Sequence, residues 1–377
     1  MKIYILIIIL IISGCNFDFL TSYRCIENNK VRPVALIIDN KGLAEAAPRD
    51  TVSIHTSFGG EKVKTVQWYF SLPQSTGSNK DSSLLIPGST VLFTNSFSDS
   101  INIQIRIPDS VIIKAFENST SLKTLLPADT YDSIPTQLLE KKPSEIISAL
   151  ELLAYSDNSS SPQISNALQS IAGNTSSLEQ NLPILLQVFT VPIKIHGIIN
   201  GKYNIEATIS VRYNTRLRNL GVFIPVNRNP VINQITLYKV RGELKSFSPH
   251  YDHSRIDTSY DFTKTKSITF EKGYSYFLFA NMDFPVDTGI SMYRAKGLED
   301  FVFEWFYYNE NPNGISADSL FLIENWPPNS GSIRLLPPLS RQVRHFSIWL
   351  VIYDYYLGER LRPVGFGVKQ TDIEIVY

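Results

Sequence analysis

The chain has no net charge, and this balance excludes one large class of partners. Its 377 residues contain 35 Lys and Arg against 35 Asp and Glu, so the molecule as a whole creates no field that would recruit nucleic acid or an anionic bilayer. One basic group, Arg212, Arg216 and Arg218, surrounds Tyr213. An exposed strand end explains this group better than a nucleic-acid contact does, and we therefore predict no nucleic-acid partner.

Catalytic signatures are also missing. The sequence has five His, which is little material for acid–base chemistry, and it lacks Gly-x-Ser-x-Gly, Gly-x-x-x-x-Gly-Lys, His-Glu-x-x-His and Cys-x-x-Cys motifs. We therefore predict that the protein is not an enzyme and uses no cofactor. A hydrolase that gathers His250, His253 and a carboxylate is the enzymatic alternative.

Two groups of titratable side chains could still suggest a site: His250, Asp252, His253, Asp257 and Asp261, and Glu304, Glu310 and Glu324 near Trp305 and Trp326. The two His lie three residues apart in a loop, so they have no fixed geometry for a metal. The acidic residues lack the Asp-x-Asp-x-Asp-Gly spacing of calcium loops. A solvated polar loop and scattered surface Glu are the preferred interpretations, and we predict no metal site and no glycosidase pair.

Met and Cys are scarce, with three and two residues, whereas Tyr and Phe number 19 and 21. Aromatic residues fit the half-buried surface of a pleated sheet better than a helix, so this composition predicts a β-rich chain. The length is sufficient for about two domains.

The first fifteen residues carry a targeting signal. Lys2 precedes an apolar run, Ile3 to Ile12, that is too short to span a bilayer. The run ends in Ile12-Ser13-Gly14-Cys15, which resembles the lipobox of bacterial lipoproteins. The resemblance implies that residues 1–14 are a signal peptide and that Cys15 is the lipidated mature N-terminus, followed by a tether over residues 15–31. An ordinary secretory signal is the alternative.

Lipidation of Cys15 would place the protein in the bacterial cell envelope, anchored to a membrane through its N-terminal lipid. Asn16 follows the Cys, and resemblance to lipoproteins of diderm bacteria implies retention at the outer membrane. Cys25 then has no partner for an internal disulfide. An unpaired Cys25 is preferred, and a dimer linked through it is the alternative.

From Val34 onward the pattern has the period of two that strands show. The alternation is clearest at Ile101, Ile103, Ile105 and Ile107. An apolar strand, the segment Ala46-Ala47-Pro48-Arg49-Asp50-Thr51-Val52, Gly59-Gly60 and then Trp68 resemble the opening of bacterial immunoglobulin-like domains. Those domains commonly have Gly where this chain has Arg49, and Arg adopts positive φ in the turn before the second strand less readily than Gly.

Helical spacing replaces this alternation between about residues 112 and 188. Ile146, Leu150 and Leu153 follow Pro143, which a first helical turn tolerates. Ile164, Leu168 and Ile171 repeat the same spacing. These helices are short and need a surface to pack on, so we predict a helical insertion packed on the edge of the first sandwich.

Strands resume at Val191, and Asn200-Gly201 is a strong hairpin signal. A segment rich in Pro and Asn, residues 225–231, then marks a boundary. We predict an all-β fold with two immunoglobulin-like β-sandwiches in tandem, the first over 32–225 with the short helical insertion, and the second, immunoglobulin-like or PKD-like, over 226–377. The order resembles envelope lipoproteins of diderm bacteria to which no activity is assigned.

The final domain has aromatic residues on both faces of its strands, although a two-layer sandwich buries one face. The residues on the second face include Phe306, Tyr308, Trp349, Tyr353 and Tyr355. The other domain, the insertion, a protein partner or a glycan could cover them. We therefore expect a non-catalytic, lipid-anchored envelope protein that presents its domains for protein interaction or adhesion, with the second domain farther from the anchor. A carbohydrate- or peptidoglycan-binding lipoprotein that uses these aromatic residues is the alternative.

Overall fold

The computed structural model describes residues 23–26, 31–60, 63–72, 82–85, 91–92, 100–156, 162–172, 177–220, 224, 226–262, 267–283, 289–291, 294–297, 299–309, 322–324, 331–337, 345–356 and 365–376. Within this part of the chain strands predominate over helices, so the β-rich prediction is confirmed. Among the same residues, no helix is long and apolar enough to cross a membrane.

The strands follow one another in chain order as β1 Tyr23–Ile26, β2 Val31–Asp39, β3 Glu45–Ala46, β4 Thr51–Gly60, β5 Thr65–Leu72, β6 Ser82–Leu85, β7 Val91–Leu92, β8 Ser100–Arg106, β9 Val191–Ile199, β10 Tyr203–Val211, β11 Val231–Arg241, β12 Ile256–Asp261, β13 Ser267–Thr269, β14 Tyr274–Asp283, β15 Gly289–Ser291, β16 Arg294–Gly297, β17 Glu299–Asn309, β18 Leu322–Glu324, β19 Ser332–Leu335, β20 His345–Tyr356 and β21 Gly365–Val376. The α-helices are α1 Val111–Phe116, α2 Thr136–Leu139, α3 Pro143–Tyr155, α4 Pro162–Ala172, α5 Leu178–Val188 and α6 Asn214–Leu217.

The first sandwich consists of two sheets that share one core. A three-stranded sheet has the order β2-β4-β8, and a six-stranded sheet has the order β3-β10-β9-β5-β6 with β7 also paired to β5. Alternate side chains of both sheets, such as Ile54 and Ile105 from one and Trp68 and Ile195 from the other, are buried in the same cluster. Burial of one face of each sheet explains the period of two in these strands.

The second sandwich has two five-stranded sheets. The sheet with the order β1-β17-β20-β21-β13 is called the inner sheet here, and the sheet with the order β12-β11-β14-β19-β18 is called the outer sheet. Trp305 and Leu350 of the inner sheet pack with Leu237 and Leu278 of the outer sheet in one buried core. β15 and β16 form a separate two-stranded hairpin.

The helices between Val111 and Val188 pack onto the core of the first sandwich. Ile146, Leu150 and Leu153 of α3 are buried in the same cluster as the two sheets. Pro143 lies in the first turn of α3, where its missing N–H costs no helical hydrogen bond. Packing of these apolar stripes on the sandwich stabilises helices that are too short to persist alone.

β1 joins the N-terminal segment to the second sandwich. It pairs in parallel with β17, with Tyr23 opposite Trp305 and Ile26 opposite Tyr308. These residues fall within the range 15–31 that the sequence predicts as a tether, and they form an edge strand of the inner sheet. The segment that follows Cys15 therefore meets the second sandwich before the first, contrary to the expectation that the second domain is the farther one.

The turn at Asn200-Gly201 forms as the hairpin signal predicts. Both residues have positive φ, 50° and 68°, and the Lys202 N–H donates to the carbonyl of Ile199 at 2.9 Å. The Asn200 side chain also accepts the backbone N–H groups of Lys64 at 2.7 Å and Thr65 at 3.1 Å. One residue thus closes the β9–β10 hairpin and ties it to the start of β5.

Arg49 has a φ of 68°, in the left-handed region that favours Gly. Its N–H donates to the carbonyl of Ile107 at 3.1 Å, its guanidinium lies 4.6 Å from the ring centroid of Tyr155, and its Nε lies 3.4 Å from Asp109 Oδ1. The Arg side chain therefore connects a strained turn of the first sandwich to the last residue of α3.

Substitution of Arg49 should separate backbone strain from side-chain contact. Arg49→Ala removes the contact with Tyr155 and keeps the left-handed strain, whereas Arg49→Gly removes both. We expect the Gly variant to be more stable than the Ala variant by about 1 kcal/mol, the reverse of the usual preference for Ala. Guanidinium denaturation measures this difference. A more stable Ala variant would contradict the left-handed conformation at this position.

Candidate functional site

The outward face of the inner sheet is covered by the first sandwich. Val34 and Ala35 of β2 pack against Phe306 of β17 and against Trp349 and Val351 of β20 in one buried cluster. Arg32 adds a cation–π contact, with its guanidinium 5.5 Å from the ring centroid of Phe306. We call this cluster the inter-sandwich interface.

A bulge in β2 makes this interface possible. Pro33 pairs with Phe58 and Ala35 with Ser57, so Val34 is an additional residue in the ladder between β2 and β4. A bulge changes the direction of the side chains on its two sides. Val34 and Ala35 consequently contact the second sandwich, while Leu36 and Ile38 point into the core of the first.

Three of the five aromatic residues predicted to bind a ligand, Phe306, Trp349 and Tyr353, fall at this interface. Trp349 and Phe306 are 2% and 3% exposed, so neither ring is available to stack on a glycan. The Tyr353 hydroxyl donates to Glu304 at 2.9 Å. Tyr308 and Tyr355 lie in β17 and β20, and their side chains are outside the described part of the chain. Of the covers that the sequence allows for this face, the structure places the other domain there.

A buried ion pair lies in the six-stranded sheet of the first sandwich, next to the connecting segment. The Glu45 carboxylate, 0% exposed, accepts from Nε of Arg212 at 2.6 Å and from Nη2 of the same side chain, which is 12% exposed. The same carboxylate accepts the backbone N–H of Asn227 at 3.2 Å. Arg212 is therefore not part of an exposed strand face, because its charge is neutralised inside the protein.

Backbone hydrogen bonds also fix the connecting segment to the first sandwich. The Asn229 N–H donates to the carbonyl of Gly42 at 2.9 Å, and its side-chain amide donates to the carbonyl of Ile38 at 2.8 Å. On the other side, a Cβ atom at Gly367 would lie 2.5 Å from the carbonyl oxygen of Pro230. The segment predicted as a boundary is thus packed between the two sandwiches.

A second group of charges surrounds Tyr155. Its hydroxyl donates to the carbonyl of Pro48, and the guanidinium of Arg216 lies 5.5 Å from its ring centroid. Arg216 also pairs with Asp50, whose carboxylate accepts from Asn40 at 3.0 Å and from Ala47 N–H at 2.9 Å. Burial raises the pKa of Tyr155 to about 12, despite the opposing charge of Arg216.

The loop that contains His250 and His253 is ordered by its own hydrogen bonds. Asp252 accepts the backbone N–H of Ser248 at 3.0 Å, and His250 and His253 are exposed. Among the described residues, no group of three His, Cys, Asp or Glu side chains has the arrangement of a metal site. Glu310 and the side chain of Glu324 lie outside the described part of the chain.

The outward face of the six-stranded sheet presents an aromatic pair that the sequence analysis did not single out. The rings of Tyr69 and His196, directly opposite each other on β5 and β9, are stacked with centroids 5.0 Å apart and an interplanar angle of 8°. Glu206 of β10 lies opposite His196. Tyr69 is adjacent to the buried Trp68 in β5, so the period of two in this strand predicts that Tyr69 points outward.

Compared with known proteins, the chain matches no protein-family model and no curated protein.

Removal of Arg212 should be strongly destabilising. Arg212→Ala leaves the buried Glu45 carboxylate without its counter-charge, and we expect a loss of about 3–5 kcal/mol in unfolding free energy. Arg216→Ala is the matched control, because Arg216 is half-exposed and Asp50 keeps two other donors; its cost should be roughly 1 kcal/mol. The double variant Glu45→Gln/Arg212→Met should recover most of the loss, since it buries no charge. Equal costs for the two single variants would contradict this account.

Tyr155 should make stability depend on alkaline pH. Its pKa is raised from 10.0 to about 12 on folding, so its contribution is complete below pH 10 and is lost as the pH rises through about 12. Tyr155→Phe should be less stable at neutral pH by about 1 kcal/mol, because the bond to Pro48 is lost, but its stability should fall less steeply between pH 10 and 12. Denaturant midpoints across this range provide the test, and parallel curves would contradict it.

Proposed function

We propose that this chain is a non-catalytic, lipid-anchored protein of the bacterial cell envelope that presents two rigidly joined immunoglobulin-like sandwiches to a protein partner. The observation that carries the proposal is the joint between the sandwiches. Domains of one chain move relative to each other by default unless their interface is extensive and apolar. Here Trp349 and Phe306 are buried against β2, and the connecting segment is hydrogen-bonded to the first sandwich.

The anchor is supported by the segment Ile12-Ser13-Gly14-Cys15, with its resemblance to the lipobox. β1 begins at Tyr23, only eight residues after Cys15. A lipid on Cys15 would therefore hold the second sandwich directly, and through the joint it would hold the first one too. Retention at the outer membrane is part of the proposal and rests on Asn16.

The immunoglobulin-like assignment of the two sandwiches is supported by the central Trp of each. Trp68 of β5 and Trp305 of β17 are 0% and 2% exposed and lie in the cores between paired sheets. Each of these strands has neighbours on both sides in its sheet. The assignment also agrees with the resemblance of the segment Ala46–Val52 to the start of such domains.

The surface that we assign to the partner is the outward face of the six-stranded sheet, around Tyr69 and His196. A paired aromatic surface flanked by polar residues, here Gln67, Lys194 and Glu206, has the mixed character of protein interfaces, in which Tyr is enriched. The glycan-binding alternative is weakened, because the first sandwich buries the rings of Trp349 and Phe306 that would stack on a glycan.

The anchor is tested by acylation in cells. With an alkyne-labelled palmitate, the wild-type chain should incorporate label and sediment with membranes. Cys15→Ser should abolish both, whereas Cys25→Ser, the matched control, should change neither. Labelling of Cys15→Ser at the wild-type level would refute lipidation at this position.

The partner surface is tested by photo-cross-linking in cells. A benzophenone amino acid in place of His196 should give a discrete cross-linked protein band, and the same probe at the exposed Glu140 should not. Protease treatment of intact and lysed cells then shows whether this surface faces outward or into the periplasm. Retention on purified peptidoglycan without a protein cross-link would instead favour the glycan-binding alternative.

A further inference from the structure

A long loop covers the outward face of the outer sheet, on the side of the second sandwich opposite to the first sandwich. Residues 242–255 connect β11 to β12. Phe247 of this loop is 2% exposed and packs on Phe277, with ring centroids 5.2 Å apart, and on Tyr238 and Phe279, each at 5.6 Å. These three rings alternate with residues of the core between the sheets, so they mark the outward face.

Hydrogen bonds hold the loop in one conformation. The Leu244 N–H donates to the Ser275 hydroxyl at 2.8 Å, and that hydroxyl donates to the carbonyl of Gly242 at 2.8 Å. Further along, the N–H groups of Tyr251 and Asp252 donate to the carbonyl of Ser248 at 3.2 and 2.8 Å. This last turn brings the chain to a tip at Tyr251.

The tip presents an exposed aromatic residue. Tyr251 is 83% exposed, the most of any large hydrophobic residue described, and the ring of His250 lies edge-on to it at 5.0 Å. Glu243, Lys245 and Arg255 of the same loop are exposed as well, whereas the carboxylate of Asp252 is turned back to the Ser248 N–H. An exposed Tyr suits the headgroup region of a bilayer, where its ring meets apolar and polar surroundings together.

The length of chain between Cys15 and β1 allows a bilayer to lie on this side of the molecule. Tyr23 is the eighth residue after Cys15, so the chain from Cys15 to Tyr23 spans at most about 28 Å. Two packed sheets are separated by about 10 Å, so this segment can pass the edge of the sandwich and reach the outer sheet. The outward face of the inner sheet is occupied by β2 and cannot be the side that rests on a membrane.

We propose that the tip of the 242–255 loop, with Tyr251 at its centre, lies on the lipid headgroups of the membrane that anchors the protein, and that the first sandwich projects away from that membrane. This inference rests on the proposed lipid anchor. A weak contact is sufficient, because tethering at Cys15 keeps the loop at a high effective concentration near the bilayer. The partner surface around Tyr69 and His196 then belongs to the projecting sandwich.

The test uses the mature chain with Cys25→Ser and a hexahistidine segment in place of Cys15. It is bound to vesicles of phosphatidylethanolamine and phosphatidylglycerol that contain a nickel-chelating lipid. Tyr251→Cys carries an environment-sensitive nitrobenzoxadiazole label, and Thr208→Cys, exposed on the first sandwich, is the matched control. We expect the emission of the label at 251 to rise about twofold or more on vesicle binding, with no change at 208. Both positions are exposed, and equal denaturation midpoints would show that both variants are folded.

An equal response at the two positions, a response at 208 alone, or none at either would overturn the proposal. Absence of a response at 251 would leave an acidic protein as the partner for the tip. The nickel tether replaces the lipid on Cys15, so this result does not depend on acylation. Failure of the acylation test and failure of the loop contact can therefore be distinguished.

Discussion

β2 has to satisfy two cores at once, and the arrangement of the two sandwiches depends on how it does so. As a strand of the three-stranded sheet it contributes Leu36 and Ile38 to the first core. Over Val34 and Ala35 it covers the inner sheet of the second sandwich. A regular strand would send Val34 to the same side as Leu36. The bulge at Pro33–Ala35 removes this conflict, and Pro33 has no N–H to contribute to the ladder.

Charge and packing support this joint in different ways. The apolar contacts between Val34, Ala35 and Trp349 bring the two surfaces together. The buried pair of Glu45 and Arg212 lies within one sheet of the first sandwich, and the bond from the Asn227 N–H to the same carboxylate fixes the connecting segment to that sheet. The ion pair thus orders the part of the first sandwich that binds the connecting segment, whereas apolar contacts hold the two sandwiches together.

Local patterns predicted much of the fold. The alternation over Ile101–Ile107 and the stripe of Ile146, Leu150 and Leu153 reflect the burial of one face of a strand or helix. The Asn200-Gly201 turn reflects the positive φ of both residues. Each of these signals therefore lies within a short stretch of sequence. The two-faced aromatic pattern of β20 also indicated that a further surface is covered. A short stretch of sequence cannot show which segment covers that surface, since Val34 and Trp349 are far apart in the chain.

The same reason explains what was missed. β1 is a short strand of mixed residues, and its pairing depends on a partner near the other end of the sequence. The Glu45 and Arg212 pair joins residues 167 positions apart, and each side chain alone suggests an exposed polar position. Arg49 was identified as unusual from the expected Gly, but its contact with Tyr155 required the position of α3.

The parallel pairing of β1 with β17 imposes an order on folding. Tyr23 is synthesised before the whole first sandwich, but its partner Trp305 is synthesised only after it. Closing so long a loop is slow and entropically costly. The first sandwich can therefore assemble while the N-terminal segment is still unpaired, and the edge of the inner sheet closes last. Completion of this edge links the segment next to Cys15 to a chain that is otherwise already folded.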